Sequence, residues 1–189
     1  AYDVDWADEA LVRWAGHPDP RVQAAVAAAL KARATGSRAK AINSLARQHM
    51  RTPAAEAGVG PYLALLGLAP DSKTLGELVA ALDTPSLRHF ALQGLRYAGD
   101  DATKSLARWV AQRANEPAGG VPEALEVLAG FGAPGREALL DLLTPLAEAH
   151  RRAAVALLLK ADGADGPGLL AGLALHRDAG IRRIALGLM

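Results

Sequence analysis

Cysteine is absent, which removes thiol nucleophiles, thiolate metal ligands and disulfides together. The 5 histidines, His17, His49, His89, His150 and His176, never stand three or four residues apart, so two imidazoles cannot share a helix face beside a metal ion. Ser37, Ser44, Ser72, Ser86 and Ser105 all lie outside any G-x-S-x-G turn that would present an activated hydroxyl. Gly58-Val59-Gly60 lacks the Lys and Ser/Thr of a phosphate-cradling loop and the third glycine of a dinucleotide fingerprint. The run Asp162-Gly163-Ala164-Asp165-Gly166-Pro167 opens like a calcium loop, but Ala164 and Gly166 stand where oxygen ligands belong, so it reads as a turn with a helix cap. The expectation is no catalytic residue, no metal and no cofactor.

Two other groups of residues carry a binding signal. Trp6, Trp14 and Trp109 could stack on a base or ligand, although Trp6 and Trp14, eight residues apart on one helical face, also suit the end cap of a helical pair. Behind a net charge of +1 lies an uneven distribution. Arg21, Lys31, Arg33, Arg38, Lys40, Arg47 and Arg51 fall in one stretch that holds no acid, just after Asp3, Asp5, Asp8, Glu9 and Asp19. Such a block can bind an anion through Lys31, Arg33, Arg38, Lys40, Arg47 and Arg51, or it can neutralise the acidic helix beside it.

The elements that position these residues are helical. Apolar residues make up 51% of the 189, yet aromatic residues make up only 4%, so Ala and Leu must supply the core, as in close-packed helices. No window alternates with a strand period. Apolar or small residues recur at i, i+3, i+4 and i+7 from starts at Val22, Val59, Leu87, Val121, His150 and Ile181, a spacing of about 32 residues. Between them lie second helical patterns. Acids at Asp5 open one through Trp14, Ser37 caps one to about Met50 before Thr52-Pro53, and Asp71 or Ser72 opens one to Leu82. Asp100 or Asp101 opens a helix to about Ala114, Pro134-Gly135 precedes one to Leu143, and Asp165 precedes one from Pro167 to Leu175. The longest uncharged stretch, 57–70, is too short to cross a membrane and contains two prolines, Pro61 and Pro70. A cytoplasmic location is expected, and a chain beginning at Ala1 reads as trimmed or processed.

The segment from Val22 to Leu30, preceded by His17-Pro18-Asp19-Pro20-Arg21, resembles the second helix of short bacterial HEAT-like repeats. Leu82-Asp83-Thr84-Pro85-Ser86-Leu87-Arg88 and Asp178-Ala179-Gly180-Ile181-Arg182 match the same turn, while residues 54–60 depart from it. The resemblance implies one domain over 1–189, a right-handed superhelical α-solenoid of about six helical pairs. Their approximate limits are 3–34, 37–68, 72–98, 101–131, 135–160 and 166–189. It also implies that Asp19 with Arg21, Asp83 with Arg88, and Asp178 with Arg182 brace the inter-helix turns.

Counting on to i+5 and i+6 finds Leu65, Leu92, Val127, Val155 and Leu186, which would form the apolar floor of a concave groove. Arg88, His89, Arg151, Arg152, Arg182 and Arg183 would form its polar margin. The first functional expectation is a non-enzymatic scaffold holding a peptide, helix or protein partner in that groove. The second is nucleic-acid binding through the basic segment at 21–51, with chemistry like that of the HEAT-like alkylpurine DNA glycosylases. The apolar face of Ile184, Ala185, Leu188 and Met189 is expected to be covered by further repeats or another chain.

Overall fold

The computed structural model describes residues 5–51, 58–116 and 119–189. Among these the chain is all-α, with twelve α-helices and no strand. It divides into two compact units, Ala1–Ala102 and Thr103–Met189.

The first unit contains α1 (Trp6–Ala15), α2 (Pro20–Arg33), α3 (Ser37–Arg51), α4 (Gly60–Leu65), α5 (Ser72–Ala81) and α6 (Pro85–Ala98). Side-chain caps set the starts: Asp5 accepts the Ala7 N–H, Asp19 the Arg21 N–H and Asp71 the Thr74 N–H, each satisfying a donor that the first helical turn leaves without a partner. Pro20, Pro61 and Pro85 occupy first turns, where a missing N–H does no harm. Neighbouring helices pair, α1 with α2, α3 with α4 and α5 with α6; α1 also packs on α3, and α4 on α6. Leu30, Ile42, Leu65, Leu66, Leu78 and Leu95 are fully enclosed, each contributing about 1.5–3 kcal/mol of burial.

Helix α4 is only six residues long and passes into a 3₁₀ turn, Leu66–Leu68. At that point Gly67 meets the backbone of Gly94 on α6, so closely that a side chain on Gly67 would run into the Gly94 carbonyl. Residues 52–57, including Thr52-Pro53, lie outside the described residues.

The second unit contains α7 (Thr103–Gln112), α8 (Val121–Ala129), α9 (Gly132–Leu142), α10 (Glu148–Asp162), α11 (Gly166–Ala174) and α12 (Ala179–Leu186). Here α7 packs on α8 and α9, α8 on α9 and α10, α9 on α10, and α11 on α10 and α12. Leu106, Leu125, Leu128, Leu139 and Leu158 form the centre. Helix α9 begins at Gly132, not after Pro134-Gly135. Pro134 is tolerated there because the N–H groups of a first turn have no intrahelical acceptor. The buried face of α10 is His150, Ala154, Val155 and Leu158, one position on from the expected Ala153 and Leu157. His150 is satisfied inside the core: its Nε2–H donates to the Glu116 carbonyl at 3.0 Å. Arg136 holds Asp162 through two parallel bonds of 2.8 and 2.9 Å, so this carboxylate belongs to an ion pair.

One turn design recurs in both units. His17 and His176 each accept, at Nδ1, the N–H of the aspartate two residues on. That aspartate, Asp19 or Asp178, then caps the next helix. The residue six positions after the turn's first carbonyl donates back to it: Gln23 to His17, Arg88 to Leu82 and Arg182 to His176. The arginines therefore brace their turns through backbone carbonyls, and in the first turn Gln23 takes the part expected of Arg21. Asp178 additionally accepts from Arg151 of α10 at 3.3 Å.

Candidate partner-binding groove

Four of the five aliphatic residues expected on an open groove floor are core residues instead. Leu65, Leu92, Val127 and Val155 are at most 5% exposed, because neighbouring helices cover the side of each helix that the periodicity left free. Leu186 is 61% exposed and lies with exposed Leu188 and Met189 at the end of the second unit.

The open apolar recess is in the first unit, between α2 and the pair α4–α6, with a volume of about 450 Å³. Helix α2 presents Pro20, Gln23, Ala24, Ala27, Ala28 and Lys31 to it, a stripe at i, i+3, i+4, i+7, i+8 and i+11. Helix α6 supplies the opposite wall with His89, Phe90, Gln93 and Tyr97, and α4 closes the bottom with Ala64 and Leu65. The short side chains of α2 face the Phe90 and Tyr97 rings across the space. His89 sits edge-on to Phe90 at 5.5 Å. Across the recess, Lys31 Nζ lies 5.4 Å from the centre of the Tyr97 ring, a cation–π distance.

Arg33, Arg38 and Arg47 of the basic stretch are neutralised from within. Arg33 donates to Asp8 at 2.7 Å and to Asp5 at 2.9 Å, and Arg38 donates to the same two carboxylates at 2.6 Å each. Asp8 is 1% exposed and lies between the two guanidiniums, so these arginines hold α1 to α2 and α3. The Ala7 N–H, together with the two guanidiniums, keeps the Asp5 carboxyl below its ordinary value. Arg47 is engaged with Glu77 and Thr74 of α5. Of the six residues read as an anion site, Lys31, Lys40 and Arg51 remain exposed.

The expected polar margin divides in the same way. Arg88 and Arg182 are occupied by turn carbonyls, and Arg151 is tied to Asp178 and the Thr144 carbonyl. Arg152 and Arg183 both bind Glu148, whose carboxyl they hold below the usual range. His89 alone of that set lines the recess. Ala27 and Ala28 stand at i+5 and i+6 from Val22, the count that also finds Leu65 and Leu92, whereas Ala24, Phe90 and Tyr97 are not among the residues expected on the groove. In α2 the alanine stripe continues well past the single face needed to bury Val26 and Leu30.

Other chemistry finds little support in the geometry. Among the described residues, no three His, Cys, Asp or Glu side chains converge to hold a metal ion. Ser37 and Lys40 have the S-x-x-K spacing, and both are exposed at the start of α3. A wider recess of about 600 Å³ lies beside α3 with Lys40, Ser44 and Arg47 on its wall, and the Asn43 amide there donates to the Leu66 and Ala69 carbonyls. Trp6 and Trp14 are 81% and 56% exposed, Trp14 stacking on His17, whereas Trp109 is buried beneath Arg113. No described helix is long and apolar enough to cross a membrane. No protein-family model matches the chain, and no curated protein matches it.

Proposed function

We propose that this protein is a non-enzymatic scaffold of the HEAT-like α-solenoid kind, which holds a segment of a partner protein against the second helices of its pairs. The observation that carries this reading is the recess of about 450 Å³ between α2 and α6 in the first unit. Its volume lies within the range of ligand-binding clefts, its walls are apolar and aromatic, and a few polar groups stand at its ends. The recurring turn of His17–Asp19–Gln23 and His176–Asp178–Arg182 supports the repeat architecture, as does the packing of consecutive helices in pairs. Leu186, Leu188 and Met189 offer a separate apolar contact surface, suited to a further repeat or another chain.

Nucleic-acid binding is the weaker reading, because Arg33, Arg38 and Arg47 are already paired with carboxylates and would have to surrender them to phosphates.

The test is affinity capture with the native chain and with Ala28→Trp, which fills the recess from an exposed position. A partner retained by the native chain at about 0.5 M salt and lost by the variant supports the reading, since apolar contacts resist salt whereas phosphate contacts do not. Equal retention by both proteins overturns it.

A further inference from the structure

The recess is electrostatically one-sided. No carboxylate lines it; its ionisable side chains are Lys31, His89 and Tyr97. The other cations of the basic stretch that lie close in sequence, Arg33 and Arg38, are neutralised by Asp5 and Asp8. Among the described residues Lys31 has no such acid within ion-pair distance, and its ammonium lies over the face of the Tyr97 ring. A lysine held over an aromatic ring has its ammonium fixed in direction while its remaining N–H donors stay available.

The dimensions favour one shape of occupant. From Pro20 to Lys31 the α2 wall spans twelve residues, about 16 Å at the helical rise, which equals three turns of a second helix laid alongside. The exposed small side chains Ala24 and Ala28, with half-buried Ala27 between them, permit close approach of a helix axis. Phe90 and Tyr97, two turns apart on α6, form the matching ridge on the other side.

Resting on the scaffold reading, we propose that the partner segment is an amphipathic helix of about three turns. Its aliphatic face enters the recess, and it places one Asp or Glu at the Lys31–Tyr97 end. The partner's carboxylate accepts from the Lys31 ammonium, and the aliphatic face packed on the alanines and Phe90 excludes water from that ion pair. Partial desolvation raises the pair above the value of an exposed surface contact.

The test is selection from a display library of helical 14-residue peptides on the 189-residue chain, with Ala28→Trp in excess as a soluble competitor that removes binders of other surfaces. The expected result is enrichment of peptides with apolar residues at i, i+3 or i+4 and i+7 and an acidic residue at one end. A selected peptide binds about fivefold tighter than its Glu→Gln version, corresponding to one exposed-to-half-buried ion pair. Lys31→Gln removes that difference, and Lys31→Glu reverses it in favour of a Lys-bearing peptide. Enriched peptides of neutral or basic character that still lose binding to Ala28→Trp overturn the acidic specificity and leave the groove intact. No peptide distinguishing native protein from Ala28→Trp overturns the groove as well.

Discussion

Gly67 and Gly94 press backbone to backbone where the end of α4 crosses α6, with the carbonyl of Gly94 in the space a β-carbon on Gly67 would need. This contact explains why α4 can be so short. Its anchorage comes from proximity to α6, with Leu65 and Leu66, just before the crossing, fully enclosed. Gly67→Ala forces the two helices apart and is expected to cost about 2–3 kcal/mol, the usual penalty of overpacking a rigid contact. Urea unfolding measures it; a loss below about 0.5 kcal/mol would show that the crossing relaxes freely.

Asp8 is expected to matter more to stability than Asp5. It is almost completely buried between the Arg33 and Arg38 side chains, whereas Asp5 is partly exposed. Asp8→Asn leaves two guanidiniums without their inner partner, and removing one member of a buried pair costs more than the pair contributes. Thermal unfolding should rank native above Asp5→Asn, and Asp5→Asn above Asp8→Asn. The reverse order would mean that the outer carboxylate carries the cluster.

Acid should destabilise the protein through a defined group of aspartates. The Thr74 N–H lowers the Asp71 pKa, Arg136 lowers that of Asp162, and the Ile181 and Gly180 N–H groups lower that of Asp178. Each is more acidic folded than unfolded, where Asp titrates near pH 4. Below that value the unfolded chain binds more protons, so the stabilisation present above about pH 5 is lost as pH falls through the folded values. The melting temperature should fall more steeply below about pH 5 than above it. Asp162→Asn should start lower at neutral pH and lose less on acidification; a parallel loss would remove Asp162 from the account.

The equivalent turns should respond unequally to loss of their caps. Asp19→Ala removes one accepted N–H at an exposed site and is expected to cost about 1 kcal/mol. Asp178→Ala removes two accepted N–H groups and the partner of Arg151, so its effect on unfolding should be the larger. Equal effects would indicate that the Arg151 contact contributes nothing.

The parts of this protein legible in its residues are those decided within one or two helical turns. Asp19, Asp71 and Asp178 mark helix starts because a short polar side chain satisfies the N–H groups that follow it in sequence. Periodicity placed the helices for the same local reason, and with them the all-α class. Contacts between distant segments decided the rest. Arg33 and Arg38 read equally as an anion site or as the neutralising partners of the acidic helix, and only the contacts of Asp5 and Asp8 from α1 select the second. Leu92, Val127 and Val155 read as an exposed floor because helical spacing tells which side chains share a face, not how many faces neighbours will cover. The recess between α2 and α6 arises from the converse: Ala24, Ala27 and Ala28 leave space that Phe90 and Tyr97 border without filling, and only packing in three dimensions determines that such space stays open.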